Sequence, residues 1–211
     1  MPTSHQILGV ILAGGRSRRF GGGDKGLADL HGQSILARVI AQFRPQVGRL
    51  ILSVNGDPGR FAEFGLETIA DDENAERGPL SGLLAAMNWA AAHGPESEAI
   101  ATVSADVPFL PNDFVAKLDA ARGDGVAIAV SGERRHPTIA IWPMHARANV
   151  AEALNRGTLS VDKLAASLNA VAVDFPMRNI HGVKADPFFN INTADDLAAA
   201  RALLARPKEG K

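Results

Sequence analysis

The stretch Leu12-Ala13-Gly14-Gly15-Arg16-Ser17-Arg18-Arg19-Phe20-Gly21-Gly22-Gly23-Asp24-Lys25 carries five glycines and four basic residues. Glycines let backbone N–H groups approach phosphate oxygens without a side chain in the way. Arginine and lysine supply the countercharge. The stretch leaves an apolar run, Ile7–Leu12, that reads as a buried strand, and open α/β sheets bind ligands beyond the carboxyl ends of their strands. Composition and position together favour a triphosphate cradle over a merely solvated surface loop.

Two standard phosphate motifs fail against this stretch. A Walker A loop needs glycine before its lysine and Ser/Thr after it, whereas Asp24 precedes Lys25 and Gly26 follows. Gly21-Gly22-Gly23-Asp24-Lys25-Gly26 fits G-x-G-x-x-G in form, but it starts nine residues past the strand end. A dinucleotide site also needs an acidic residue about 20 positions on, and His31–Gly56 contains no Asp or Glu.

Asp106 lies two residues past a third apolar run, Ala99–Ser104, on the same predicted edge as the glycines. Magnesium is commonly held by one or two carboxylates plus substrate phosphates, so Asp106 is a candidate Mg²⁺ ligand, or else a turn former ahead of Pro108. Asp71, at the end of a shorter run, either caps its loop or hydrogen-bonds a base or ribose. Arg134-Arg135-His136-Pro137 places two guanidinium groups and an imidazole on an expected hairpin tip, suited to a second anionic substrate or simply solvated. Asn190-Ile191-Asn192-Thr193 precedes a helix that Thr193 caps. Its two asparagines point to one side of an extended chain, as polar recognition requires. No histidine spacing suggests a metal site, and no Ser-His-Asp arrangement is visible in the sequence.

These residues need elements to hold them. Ser34 caps a predicted helix to about Phe43, Leu50–Val54 and Thr68–Ala70 read as strands, and Gly78-Pro79-Leu80 opens an alanine-rich helix to about His93. Strand, helix, strand, strand, helix, strand predicts a parallel sheet with helices on its faces. Val126–Val130 and Thr138–Trp142 then read as a hairpin around the polar turn Ser131–His136. Helices near Ala146–Asn155 and Ser160–Leu168, a strand at Ala170–Asp174, and a helix from Thr193 to about Leu204 complete the chain. Arg206–Lys211 is expected to fray. The 211 residues contain no cysteine, which excludes disulfides and thiolate chemistry. Lys+Arg of 22 against Asp+Glu of 23 gives a net charge of −1 and no large footprint for nucleic acid. No apolar run reaches the ~20 residues of a membrane helix. The expectation is one soluble, cytoplasmic α/β domain over 1–211, with a nucleotide-binding half at about 7–110 and a second-substrate half at about 111–205.

Leu12-Ala13-Gly14-Gly15, Arg18-Arg19, Gly21-Gly22, Asp24-Lys25-Gly26, Gly78-Pro79-Leu80, Asp106-Val107-Pro108, Gly132-Glu133-Arg134, His136-Pro137-Thr138 and Asn190-Ile191-Asn192-Thr193 occur in that order. Over about residues 8–200 the chain resembles the molybdenum cofactor guanylyltransferases. That resemblance implies a three-layer, Rossmann-like nucleotidyltransferase fold with a mostly parallel mixed sheet. It implies transfer of GMP from GTP to the terminal phosphate of Mo-molybdopterin with release of pyrophosphate, and Mg²⁺ as the cofactor. Leu12, Ala13, Gly14 and Gly15 would line the nucleotide together with Gly78, Pro79 and Leu80. Lys25 would neutralise phosphates with Arg19 as a second cation, Asp71 would contact the nucleotide, and Asp106 would hold Mg²⁺. Part of the family has asparagine where this chain has Ser53, and Asn55 follows two residues later, so either residue is a candidate nucleotide contact. Arg134, His136, Asn190 and Asn192 fall on the molybdopterin side. Proteins that deliver molybdopterin and others that mature molybdoenzymes are the implied partners. The rivals are a molybdopterin cytidylyltransferase, a sugar-1-phosphate nucleotidyltransferase, and a nucleotide sensor without transfer. The Gly14-Gly15 pair and the tail motifs favour the guanylyl enzyme.

Overall fold

The computed structural model describes residues 6–13, 24–70, 78–94 and 96–205. Gly14, Gly15, Arg19, Asp71 and the terminal Arg206–Lys211 lie outside the described residues, so the expectations placed on them concern sequence only. The strands are β1 (Ile7–Leu12), β2 (Arg49–Val54), β3 (Glu67–Ala70), β4 (Ala99–Ser104), β5 (Ala127–Ser131), β6 (Arg134–Pro143) and β7 (Val171–Asp174). They form one sheet in the order β3-β2-β1-β4-β6-β5-β7. The pairs β3–β2, β2–β1, β1–β4 and β5–β7 are parallel, while β6 is antiparallel to both β4 and β5. Strand β6 therefore alone runs against the other six. The sheet is mixed and mostly parallel, as the sequence predicts.

Strand side chains alternate between two cores, which sets the three layers. Ile11, Leu52, Val54, Val103 and Ile141 pack with α1 (Ile35–Phe43) and α3 (Phe114–Arg122), through Leu36, Val39, Phe43, Phe114 and Leu118. Val10, Ile51, Ile100, Ile128 and Trp142 pack on the other face with α2 (Pro79–His93), α4 (Arg147–Asn155) and α5 (Val161–Ser167). A third, smaller cluster joins α6 (Ala194–Leu204) to Leu30, Ile35, Phe109 and Ile191. The carbonyl of Arg201 lies 2.8 Å from His31 Nε2, and the Arg201 guanidinium donates to Asp29 O. Helix α6 is thereby fixed beside the segment that carries Lys25.

Local chemistry places the boundaries. Ser34 Oγ accepts from Ala37 N at 3.1 Å, which caps α1. Thr193 and Asp196 form a reciprocal capping box at the start of α6. Two elements lie where no element is expected from the sequence, and one expectation is corrected. Helix α3 was not anticipated. It has only nine residues, and its apolar positions Phe114, Val115 and Leu118 give a short helical signal. The small β8 (Arg178–Ile180) and β9 (Val183–Ala185) hairpin also escaped notice. The turn between β5 and β6 is only Gly132-Glu133, with Gly132 at φ 58°, rather than Ser131–His136. His136 thus belongs to a strand, opposite Ala129. The register shifts between Ile128 and Ala129, which accommodates Pro137, a residue with no N–H to give to the ladder. Among the described residues, no helix is long and apolar enough to cross a membrane.

Candidate active site

The carboxyl ends of β1 and β4 define a cleft lined by Leu12, Ala13, Asp24, Lys25, Gly26, Phe61, Pro79, Ser104, Ala105 and Asp106. Backbone hydrogen bonds fix its floor. Ala13 N donates to Ser53 O at 2.8 Å and Ala105 N donates to Leu12 O at 3.2 Å, so the ladder continues past the strands. Helix α2 begins at this rim with Gly78 at φ 68°, a conformation that disfavours residues with a Cβ. Pro79 at the first helical position gives up no needed N–H, and Ser81 Oγ donates to Gly78 O at 2.7 Å. The positive end of the α2 dipole therefore borders the cleft, favourable for phosphate. Leu80 is fully buried in the core beneath, so its contribution is to seat the helix.

Lys25 is the centre of the arrangement. Its Nζ lies 2.9 Å from Asp106 Oδ2 and 2.8 Å from Asn192 Oδ1, joining positions 81 and 167 residues away. Both charged partners are largely shielded, with side-chain exposures of 21% and 14%. Asp24, just ahead, forms an ion pair with Arg60 at 3.0 Å, and Arg60 also donates to Asn55 O. The Asp106 backbone is tied to the tail, because Ile191 N donates to Asp106 O at 3.0 Å. Asp196 Oδ2 accepts from Asn192 N at 2.9 Å and Thr193 N at 2.8 Å. These bonds, led by that from Asn192, pull the Asp196 pKa below its ordinary 3.8.

Asp106 Oδ1 is buried and has no hydrogen-bond partner among the described residues. A lone carboxylate oxygen in such a position is costly unless a ligand or ion satisfies it. Asn190 Oδ1, one residue from Ile191, is likewise buried without a described partner. Hard oxygen donors of this kind fit a divalent cation such as Mg²⁺ that takes its remaining ligands from phosphate. No group of three or more His, Cys, Asp or Glu able to hold a metal occurs among the described residues.

The geometry accords with the family relationship. The family model described as a MobA-like NTP transferase domain matches residues 9–171. A molybdenum cofactor guanylyltransferase of Bradyrhizobium sp. (strain ORS 278) is 42% identical over 207 residues, covering 96% of this chain and 95% of that protein. One from Nitrobacter hamburgensis is 44% identical over 201 residues, covering 93% and 94%. The chain belongs to the molybdenum cofactor guanylyltransferase family. The solved molybdopterin-guanine dinucleotide biosynthesis protein A of Archaeoglobus fulgidus is similar to it in fold, with a TM-score of 0.66 and 22% identity over 93% of this chain and 97% of that one. The fold is that of a nucleotidyltransferase.

Two residues expected to meet ligands are buried. Ser53, near the end of β2, is only 1% exposed. Asn55 stands past the strand end, partly exposed, with Oδ1 buried and without a described partner. Of the two, Asn55 is the side chain at the edge. His136 is 6% exposed, inside rather than on a hairpin tip, with Nε2 2.7 Å from Ser131 Oγ and its ring 5.0 Å from that of Phe188. Burial pushes its pKa below 6.5, and Arg134 pushes the same way, against an opposing pull from Asp186. Arg134 itself is exposed. Sequence reasoning missed Arg60 and the Ser131–Asp186 contact, and gave Thr138 no role beyond its place in the His136-Pro137-Thr138 segment. Thr138 Oγ1 accepts from Ser104 Oγ at 3.1 Å, linking β6 to the cleft wall. Arg60 carried no motif that could have marked it, but its partner Asp24 did.

Proposed function

We infer that this enzyme transfers GMP from GTP to the terminal phosphate of Mo-molybdopterin, giving the molybdopterin guanine dinucleotide cofactor and pyrophosphate. The observation that carries the reading is the meeting of Lys25, Asp106 and Asn192 at the cleft, three residues from distant segments held within hydrogen-bond distance. Attack on the α-phosphorus needs charge neutralisation and in-line placement more than a strong base, because the attacking phosphate is already anionic. Lys25 would bind the triphosphate and stabilise the charge that grows on the leaving pyrophosphate, with Arg19 as a second cation. Leu12, Ala13, Gly14 and Gly15, together with Gly78 and Pro79, would line the nucleotide, with Asn55 and Asp71 at its edge. Asp106 Oδ1, buried and without a described partner, is the oxygen offered to Mg²⁺. When bound, Mg²⁺ would draw charge from the triphosphate oxygens. Asn190, Asn192 and Arg134 would meet the pterin substrate. Proteins that deliver molybdopterin and those that accept the finished cofactor would dock where this second substrate enters and leaves.

The test is transfer of label from α-labelled GTP and CTP to Mo-molybdopterin, with pyrophosphate measured in parallel. Labelled dinucleotide from GTP, with little from CTP, is the expected result. Preferential CTP use would assign the cytidylyl reaction instead, and nucleotide binding without transfer would make the protein a sensor.

A further inference from the structure

The described residues contain a cluster of buried Ser131 and His136 with the partly buried Asp186 that the reaction above does not use. Ser131, at the end of β5, donates from Oγ to Asp186 Oδ1 at 2.7 Å. His136 Nε2 lies 2.7 Å from the same Oγ and 3.7 Å from Asp186 Oδ2. A hydroxyl has one proton. With that proton given to the carboxylate, the Oγ accepts, and Nε2–H of His136 must be the donor. The order is thus imidazole to hydroxyl to carboxylate. The hydroxyl is engaged on both sides, by the Asp186 carboxylate and the His136 ring nitrogen.

What the cluster does hold is a piece of chain. Asp186 Oδ1 also accepts from Phe188 N at 2.8 Å, and Phe188 is fully buried between His136 and Phe175, each 5.0 Å away. Three residues on, Ile191 N reaches Asp106 O, and Asn192 Oδ1 meets Lys25 Nζ. Segment 186–192 therefore spans from the β5–β6 hairpin to the catalytic lysine, pinned at both ends by hydrogen bonds. We propose that Ser131 and Asp186 are positioning residues for the second substrate, which fix the hairpin end of this segment so that Asn192 stands at Lys25 in the cleft. The proposal rests on the guanylyl-transfer reading for its kinetic consequence, though not for its structural one. Neither residue touches the reacting atoms. Their effect passes through the segment alone.

Two measurements on Ser131→Ala and Ser131→Thr decide it, after thermal unfolding has shown that both variants fold. In hydrogen exchange of the full chain, Ser131→Ala should speed exchange of the Phe188 and Ile191 amides at least about tenfold. The amides of β1, β2 and β4 should be unchanged, and Ser131→Thr, which keeps the hydroxyl, should match the unsubstituted protein. In the transfer assay, Ser131→Ala should raise the KM for Mo-molybdopterin about tenfold and leave the KM for GTP within about twofold. Unchanged exchange in segment 186–192 would overturn the proposal, as would an equal rise of both KM values or failure of threonine to restore them. If the unsubstituted protein does not transfer GMP, the functional reading falls while the exchange result still decides the positioning role.

Discussion

The two halves of the sheet present their site residues by different physical means. In the half built on β3-β2-β1-β4, Leu12, Ala13 and Ala105 stand at the ends of parallel strands, held by backbone ladder bonds that any side chain permits. In the half built on β6-β5-β7, the lone antiparallel strand β6 breaks that pattern. Asn192 reaches Lys25 on a segment secured by the Ile191 N–Asp106 O backbone bond and, in addition, by side chains: Asp186, Phe188, and the capping pair Thr193–Asp196. A floor made of backbone bonds tolerates substitution better than a wall that also depends on side-chain bonds, and on the proposed reading single changes in the wall should shift one substrate's kinetics without the other's.

The largest expected effect breaks both halves at once. Lys25→Ala removes the cation that joins them and should lower kcat/KM for transfer by about 10²–10³-fold, with little change in the unfolding midpoint, as followed by pyrophosphate release. Asn192→Ala sharpens the contrast. It removes one hydrogen bond to a charged group and should raise the KM for Mo-molybdopterin about tenfold, while calorimetric affinity for GTP changes less than about threefold. Thr193→Ala dismantles the capping box and should cost about 1 kcal/mol in denaturant unfolding. An equal loss of affinity for GTP in Asn192→Ala would erase the distinction between the halves.

Acid provides a finer probe of the second half. His136 has a folded pKa below 6.5, so the unfolded chain binds a proton first as pH falls. Its contribution to stability is complete above about 6.5 and declines as pH drops from there toward the lower folded value. His136→Gln should flatten that part of the pH–stability profile. Asp196 acts at a lower range: its depressed pKa gives stability above about 3.8 that disappears as pH falls further through the folded value.

Legibility in the sequence follows the same division. Asp24-Lys25 and Asp106 could be placed because parallel strands announce themselves as apolar runs and their ends share one edge. The capping role of Thr193 was equally local, since its partner lies three residues on. What stayed hidden depended on long-range pairing. That Asn192 meets Lys25, or that Asp186 meets Ser131 across 55 positions, has no periodic signature. His136 was misplaced for a related reason. Arg134-Arg135-His136-Pro137 looks like a polar turn in sequence, yet the bulge opposite Ile128 and Ala129 lets a strand carry Pro137 and bury the imidazole. The burial of Ser53, a polar residue near the end of β2, also had no signal in the sequence.

The most direct measurement of the central claim is calorimetric binding of GTP, CTP, ATP and dTTP with Mg²⁺ at one salt concentration, to the unsubstituted protein and to Lys25→Ala and Asp106→Ala. The account predicts a clear preference for GTP, weakened by Lys25→Ala, and loss of the Mg²⁺ dependence in Asp106→Ala. Equal affinity for all four nucleotides, or GTP binding that neither substitution weakens, would contradict it.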